Sequence, residues 1–323
     1  MLHLTNIFVF LLFSFSVILT KPLEIPVIAI LANPNPYNSQ NITSSRVNSQ
    51  YVRWLEQSFS EVVVIQPWHT EEEIEEILDK VNGVLWPGGD RDLKLCGEFE
   101  RKAILILKKI MKLYDEKKVR LPLWGTCQGF EMIAAFLSNT VSVLTHFDSW
   151  DVKLPLIFKE SKENSFLLES SFSGMYKDFS RGELDALQSE NVTAHFHHLG
   201  ISEDNFNKFN LKKILKITSY GLDVNNKEFI ASFEGVKYPI YGVQYHPEMI
   251  AYKKIKMKGI PRTMNAIKLS QKLSNFFLSQ ARMNDNRMDA EDIKKYNHID
   301  SYLNNLVYEE GSYYYIFGKE DSS

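Results

Sequence analysis

The 323-residue sequence is poor in the features that mark specialised classes of protein. Its two cysteines are too few for the disulfide framework that stabilises small secreted domains. The formal net charge of −3 excludes a strongly basic surface, so we expect neither nucleic acid nor an anionic membrane as a partner. The sequence has no internal repeat and no long linker. What remains is the composition of an ordinary globular domain, with 44% hydrophobic and 24% charged residues.

One apolar run is present, at residues 7–19 (IFVFLLFSFSVIL). Its 13 residues are too few to span a hydrocarbon core of roughly 30 Å as a helix, but they suit a secretory signal peptide. We predict a cleaved signal over residues 1–20, although no Lys or Arg precedes the run; a retained anchor and a buried helix are the alternatives. Sequons at Asn41 and Asn191 also fit the secretory pathway, with a lysosome, a vacuole or the extracellular space as destination.

Between residues 26 and 137, short apolar runs alternate with amphipathic stretches. The predicted strands are residues 26–31, 61–66, 83–86 and 121–124. The predicted helices begin near Ser45 and at Thr70, and two more cover residues 99–114 and 130–137. This alternation predicts an α/β fold with a mostly parallel central sheet flanked by helices on both faces.

Beyond residue 141 the pattern becomes more typical of β structure, which predicts an antiparallel edge to the sheet. The predicted strands are residues 154–158, 214–220, 229–233 and 240–245, and a helix over residues 265–282 follows them. We interpret residues 21–282 as one domain. Residues 283–323 are a C-terminal extension in which residues 313–317 (YYYIF) fit either an edge strand or a segment packed on the surface.

Residues 125–129 (GTCQG) have the form G-x-C-x-G and lie between a predicted strand and a predicted helix, which makes them the thiol counterpart of a nucleophile elbow. Such a turn presents Cys127 at the carboxyl end of the strand, and the flanking glycines let the helix pack closely. We expect the helix N-terminus to lower the pKa of the thiol and to supply N–H groups to an oxyanion. The alternatives are a buried structural cysteine and a disulfide with Cys96.

A second candidate element is the strand at residues 238–245, which runs into His246-Pro247-Glu248. Active sites of open α/β sheets collect at strand ends, so His246 can serve as the base for the thiol. Glu248 can accept a hydrogen bond from the other ring nitrogen of His246 if Pro247 turns the chain. The alternative is a structural histidine at a strand end.

The third element is Pro87-Gly88-Gly89, which follows the predicted strand one βα unit before the elbow. A glycine pair there can aim a backbone N–H into the same crevice. The N–H groups of Gly89 and Gln128 are therefore the predicted oxyanion hole. Alone, the tripeptide is only a turn signal.

The ordered set LWPGGDRDL, LPLWGTCQGFE and YPIYGVQYHPE resembles the γ-glutamyl hydrolase family, which belongs to the class I glutamine amidotransferase-like superfamily. The resemblance extends over residues 26–282 and includes the segments DVKLPLIF and TAHFHH. It implies the flavodoxin-like, three-layer α/β architecture of that superfamily. It also implies a thiol hydrolase that cleaves folate poly-γ-glutamates, needs no metal or organic cofactor, and forms homodimers in many members.

By that resemblance Cys127 is the nucleophile, His246 is the base and then the acid for the leaving group, and Glu248 orients His246. Gly88 and His197 are the implied substrate-binding residues.

The sequence departs from the family at several positions. Gln128 stands where family members typically have Leu, but only its backbone N–H is needed. His195 and His198 flank His197, yet no carboxylate or cysteine accompanies the three as a metal site would require. Residues 161–179 match poorly. The alternative functions are a glutaminase that passes ammonia to a synthetase, a hydrolase of small γ-glutamyl amides, and a catalytically silent secreted binding protein.

The segment AYKKIKMKG lies just beyond the predicted catalytic pair and contains Lys253, Lys254, Lys256 and Lys258. A poly-γ-glutamate tail is a chain of carboxylates, so a lysine-rich loop beside the crevice could steer it. The alternative is that these lysines are merely solvated.

Overall fold

The computed structural model describes residues 25–35, 42–159, 174–253, 257–296, 299, 305–309 and 311–319. Its strands are β1 (Val27–Leu31), β2 (Asn33–Pro34), β3 (Ser44–Asn48), β4 (Glu61–Ile65), β5 (Gly83–Trp86), β6 (Leu123–Thr126), β7 (Leu144–Leu154), β8 (Thr193–Ile201), β9 (Leu215–Leu222), β10 (Glu228–Gly235), β11 (Ile240–Val243), β12 (Leu306–Glu309) and β13 (Ser312–Gly318). Its α-helices are α1 (Ser49–Glu56), α2 (Glu71–Lys80), α3 (Glu98–Lys117), α4 (Gln128–Leu137), α5 (Arg181–Ser189), α6 (Glu203–Lys208), α7 (Pro247–Tyr252), α8 (Met264–Ala281) and α9 (Ala290–Lys295).

The centre of the fold is a seven-stranded sheet in the order β4-β1-β5-β6-β11-β10-β9. Strands β4, β1, β5, β6 and β11 are parallel, whereas β10 and β9 form an antiparallel edge. The predicted mostly parallel sheet with an antiparallel edge is confirmed. Because the parallel strands end at the same edge, the loops that follow β5, β6 and β11 meet there.

Both faces of the sheet are covered, as the continuous apolar sequence of its parallel strands requires. Ile28 and Ile30 of β1 pack in the core that contains α1 and α8, and Ala29 and Leu31 pack in the core that contains α2, α3 and α4. The fold therefore has the predicted three layers. The predicted start of α2 is also confirmed, because Thr70 forms a complete capping box with the third residue of the helix.

Strands β7 and β8 form a separate two-stranded antiparallel sheet, which we call the β7–β8 ribbon. β8 contains the TAHFHH segment. The strand predicted at residues 154–158 is wrong, because the strand in this region is β7, which pairs with β8 and ends at Leu154. Within the predicted range, Ile157 forms an isolated bridge with Tyr220 of β9. The backbone N–H of His246 donates to the carbonyl of Ala194 in β8 at 2.9 Å. This contact fixes the ribbon beside the carboxyl end of β11.

The predicted helix near Ser45 is wrong at its start. Residues 44–48 form β3, and α1 begins at Ser49 with the Asn48 side chain as its N-cap. The cause is distant in sequence: β13 pairs with β3, with Tyr315 opposite Val47. β13 is also not an edge strand. It lies between β12 and β3 in a four-stranded sheet that is separate from the seven-stranded one.

The predicted signal at residues 1–20 lies outside the described residues. Within the described ranges, no helix combines the length and apolar character needed to cross a membrane.

Candidate active site

Cys127 occupies a sharp turn between β6 and α4. Its backbone has φ 50° and ψ −109°, a conformation that an L-residue adopts at a cost of about 1–3 kcal/mol. The close approach of strand and helix explains both flanking glycines: a Cβ on Gly129 would lie 2.3 Å from the carbonyl oxygen of Trp86, and one on Gly125 would lie 2.7 Å from the backbone of Gly129. The predicted elbow is thus the local geometry of this segment.

The thiol of Cys127 is buried, and neither Cys127 nor the exposed Cys96 forms a disulfide. Burial raises the pKa of Cys127 well above its ordinary value, and the nearby carboxylates of Glu131 and Glu248 raise it further. The Gln128 N–H at the start of α4 acts in the expected direction, but it does not outweigh burial. The expectation of a lowered thiol pKa is therefore wrong, because the net shift of this pKa is upward.

His246 follows β11 and is the N-cap of α7. Its Nδ1 lies 2.7 Å from Oε1 of Glu248, and both side chains are buried. Because a carboxylate only accepts hydrogen bonds, we assign the proton to Nδ1, which leaves Nε2 as the acceptor. Pro247 occupies the first position of α7 and turns the chain, as the predicted hydrogen bond between His246 and Glu248 requires.

Gly88 brings the loops after β5, β6 and β11 together. A Cβ on Gly88 would lie 2.7 Å from Cε1 of His246 and 3.3 Å from Cβ of Cys127. Any larger residue at this position would therefore clash with the imidazole of His246 and crowd Cys127. The structure thus brings Gly88, Cys127, His246 and Glu248 to one point at the carboxyl edge of the sheet.

Side chains from two other elements hold the loop after β5. The Gly88 N–H donates to the hydroxyl of Tyr51 at 2.7 Å, and the Gly88 carbonyl accepts from Nδ2 of Asn33 at 2.8 Å. In contrast, the N–H of Gly89 has no hydrogen-bond partner among the described residues. That N–H and the Gln128 N–H, which points to the sulfur, are the two donors predicted for an oxyanion hole.

The Gln128 side chain, which departs from the family pattern, also contacts this loop. Its Nε2 donates to the Arg91 carbonyl at 2.7 Å, and its Oε1 accepts from the Arg91 N–H at 3.3 Å. The amide therefore forms a two-bond clamp on the backbone just beyond Gly89.

The sequence motifs did not point to four further residues of the site, namely Tyr51, Asn33, Glu131 and Gln244. Burial raises the pKa of Tyr51 well above its usual value, with Glu248 and Cys127 adding to the effect. Burial also raises the pKa of Glu131 to about 7, although Nε2 of Gln244 donates to its Oε1 at 2.9 Å. The one available signal was position: Glu131 lies one helical turn after Cys127, and Gln244 lies two residues before His246.

His195 and His197 lie behind the catalytic loops in a buried hydrogen-bonded chain. Nδ1 of His195 lies 3.0 Å from Nε2 of His197, and Nδ1 of His197 lies 2.8 Å from the Leu199 carbonyl. Burial lowers the pKa of His197 to about 3, so the ring is neutral. Both its nitrogens are occupied within the protein, and its substrate-binding role stays a prediction. His198 is exposed on the other face, and the described residues contain no cluster that could hold a metal ion.

The lysine-rich segment does not present four solvated ammonium groups. Lys253 is buried, and its Nζ donates to Ser312 of β13 at 3.0 Å. Lys254 and Lys256 lie outside the described residues, and Lys258 is exposed. The steering hypothesis is therefore wrong for Lys253.

Comparison with known proteins gives a consistent result. The family model for peptidase C26 matches residues 26–248, a range that contains Cys127, His246 and Glu248. The γ-glutamyl hydrolase of Mus musculus is 35% identical over 267 residues, which are 82% of this chain and 80% of the relative. That of Homo sapiens is 33% identical over 246 residues (76% and 74%), and γ-glutamyl hydrolase B of Dictyostelium discoideum is 29% identical over 297 residues (91% and 83%). A glutamine amidotransferase structure from Thermotoga maritima has 13% identity over 80% of this chain and 99% of its own, with a TM-score of 0.45 that supports no conclusion.

Proposed function

The chain belongs to the peptidase C26 family, and we propose that it is a cysteine hydrolase that cleaves γ-glutamyl amide bonds through a Cys127 thioester. The observation that carries the proposal is the convergence of a strained, buried thiol with a histidine whose Nδ1 is held 2.7 Å from a buried carboxylate. The names of the relatives supply the bond class, since each is a γ-glutamyl hydrolase.

In the first half-reaction, Sγ of Cys127 attacks the γ-carbonyl carbon while its proton passes to Nε2 of His246. This coupling avoids a free thiolate, which burial disfavours by raising the pKa of the thiol. The carbonyl oxygen becomes an oxyanion that accepts hydrogen bonds from the N–H groups of Gly89 and Gln128. The C–N bond then breaks, the amine leaves with the proton from His246, and a γ-glutamyl thioester remains.

In the second half-reaction, water attacks the thioester carbonyl and gives a proton to His246. The C–S bond breaks, the sulfur regains the proton, and a free γ-carboxyl group is released. Glu248 accepts the Nδ1–H hydrogen bond throughout, which keeps the ring oriented and stabilises its protonated form.

The proposed substrates are folate poly-γ-glutamates, and the proposed site of action is the secretory pathway with a lysosome or vacuole, or the extracellular space, as end point. The apolar run at residues 7–19 and the exposed Asn191 support the location. Deleting residues 1–20 is expected to abolish N-glycosylation, so that glycosidase treatment no longer changes the electrophoretic mobility of the expressed protein. Unchanged glycosylation would contradict the proposed signal.

The test of function is hydrolysis of pteroyl-pentaglutamate between pH 5 and 7 by the wild type and by Cys127→Ala, with product chain lengths followed by chromatography. We expect shortened folates and glutamate species from the wild type and none from the variant. The first products will also distinguish cleavage at internal bonds from cleavage at the chain end.

Three outcomes would contradict parts of the proposal. Turnover that survives Cys127→Ala would reject the thioester. Turnover of small γ-glutamyl amides but not of the pentaglutamate would reject the substrate class. Absence of turnover with either substrate would favour a binding protein.

A further inference from the structure

The outer face of the β7–β8 ribbon carries three aromatic rings in parallel. The ring of His198 stacks between His146 (5.7 Å between centroids, 12° between planes) and Trp150 (5.4 Å, 10°). We call these three side chains the ring stack. All three are exposed, and Trp150 is 55% accessible to solvent.

The exposure of Trp150 distinguishes it from the other tryptophans. Trp54, Trp86 and Trp124 are no more than 1% exposed and pack in the two cores, and Trp68 is half-buried. An indole left in water gives up the burial energy that usually stabilises such a side chain. Trp150 therefore does not serve the hydrophobic core.

The ring stack is connected to the catalytic histidine through one intervening ring. Trp150 stands opposite Phe196 in the ribbon and meets its ring edge-to-face, at 5.9 Å and 89°. Phe196 in turn meets the ring of His246 at 6.0 Å and 70°. A ligand group that packs on Trp150 would thus lie two ring contacts from the reacting centre.

A bulge in β7 fixes the direction of Trp150. The register shifts between Trp150 and Val152, and Asp151 between them has φ 53°, which is unfavourable for a residue other than glycine. Oδ1 of Asp151 accepts from the N–H of Gly259 at 2.8 Å, and a Cβ on Gly259 would lie 2.4 Å from the Asp151 backbone. Backbone strain that a specific contact maintains next to an active site indicates a functional role for the segment.

We propose that Trp150 and the ring stack bind the flat aromatic end of the substrate, the pteroyl group of a folate γ-glutamate. This inference rests on the proposed function and adds a subsite to it. Flat heteroaromatic rings stack on exposed indoles, and Lys258, exposed next to Gly259, complements the carboxylates of the attached glutamates.

The test compares two substrates that differ only at the aromatic end: pteroyl-tri-γ-glutamate and N-acetyl-tri-γ-glutamate. Trp150→Leu is expected to raise KM for the pteroyl substrate between about 5-fold and about 150-fold, the range that one stacked base contributes in single-strand binding proteins. KM for the acetyl substrate is expected to change less than about twofold, because it has no ring to stack. Trp150→Phe should recover part of the loss.

The matched control is Phe59→Ala, which removes an equally exposed aromatic ring beyond the far end of α1 and should leave both KM values unchanged. An equal rise in KM for both substrates in Trp150→Leu would overturn the proposal, because it would indicate a general supporting role. Unchanged KM values for both would overturn it as well.

Direct binding separates failure of this inference from failure of the proposed function. Pteroate is titrated into the wild type and Trp150→Leu, with isothermal titration calorimetry as the readout. We expect at least about fivefold weaker binding in the variant, even if no amide is hydrolysed. Equal affinity in the two proteins would reject the subsite whatever the enzyme cleaves.

Discussion

Two adjacent regions of the molecule meet the proposed substrate in opposite ways. At the catalytic edge, Tyr51, Cys127, His246 and Glu248 are all buried. The two hydrogen bonds to Gly88 and the one between His246 and Glu248 are 2.7–2.8 Å long. On the β7–β8 ribbon, the rings of the stack are exposed and contact one another by their faces.

This difference follows from what each region has to do. A buried site has a low effective dielectric constant, so a few fixed donors and one carboxylate can control where a proton and an oxyanion lie. An exposed ring stack controls no charge, and it selects a ligand by shape and apolar area. Changes at the catalytic edge should therefore act on kcat, and changes on the ribbon should act on KM.

The largest effect expected from this contrast, short of removing the thiol, comes from Glu248→Gln. The amide keeps the volume and an acceptor oxygen but loses the charge that stabilises the protonated His246. We expect kcat to fall by about 10²- to 10⁴-fold, with KM changed much less, in steady-state kinetics on a γ-glutamyl peptide. An unchanged thermal midpoint would serve as the folding control. A rise in KM with normal kcat would contradict the assigned role.

The elements that depend on residues close together in the sequence could be predicted from the sequence. The capping box at Thr70 and the apolar strands of the parallel sheet lie where they were predicted. The elbow at Cys127 and the His246–Glu248 pair were equally readable, because their chemistry is contained in segments of three to five residues. Strand ends of a parallel sheet then bring such segments together.

The missed features depend on contacts between distant segments. β3 is a strand because β13, more than 260 residues later, pairs with it, although the apolar spacing around Tyr51 is helical. Tyr51 and Asn33 act on Gly88, from which they are separated by 37 and 55 residues. The resting pKa of Cys127 was misjudged for a related reason, since burial arises from the whole fold and exceeds the local effect of α4.

A second, intermediate effect tests how strongly the catalytic edge is desolvated. The pKa of Glu131 is raised from 4.5 to about 7 in the folded protein, so the folded state keeps a proton that the unfolded state has released. This contribution to stability is complete below about pH 4.5 and is lost as pH rises to about 7. Glu131→Gln is neutral throughout and should gain up to about 3 kcal/mol relative to the wild type across that window. Urea unfolding at pH 4.5 and at about pH 7 measures the difference in free energy of unfolding between the two proteins. A difference that does not change with pH would contradict a desolvated carboxyl group at Glu131.

The smallest effect is expected at Gln128, whose side chain forms part-buried hydrogen bonds with the Arg91 backbone in the loop after β5. Gln128→Leu keeps the backbone N–H that points to the sulfur and removes both clamp bonds to Arg91. Each lost bond costs about 1 kcal/mol at most, because the loop backbone can bind water and Gly88 remains held by Tyr51 and Asn33. We therefore expect kcat to fall only about two- to fivefold, with KM and the Trp150-dependent preference for a pteroyl end unchanged. A loss as large as that of Glu248→Gln would show that the clamp, and not the hydrogen bonds to Gly88, keeps the Gly89 N–H in the oxyanion position.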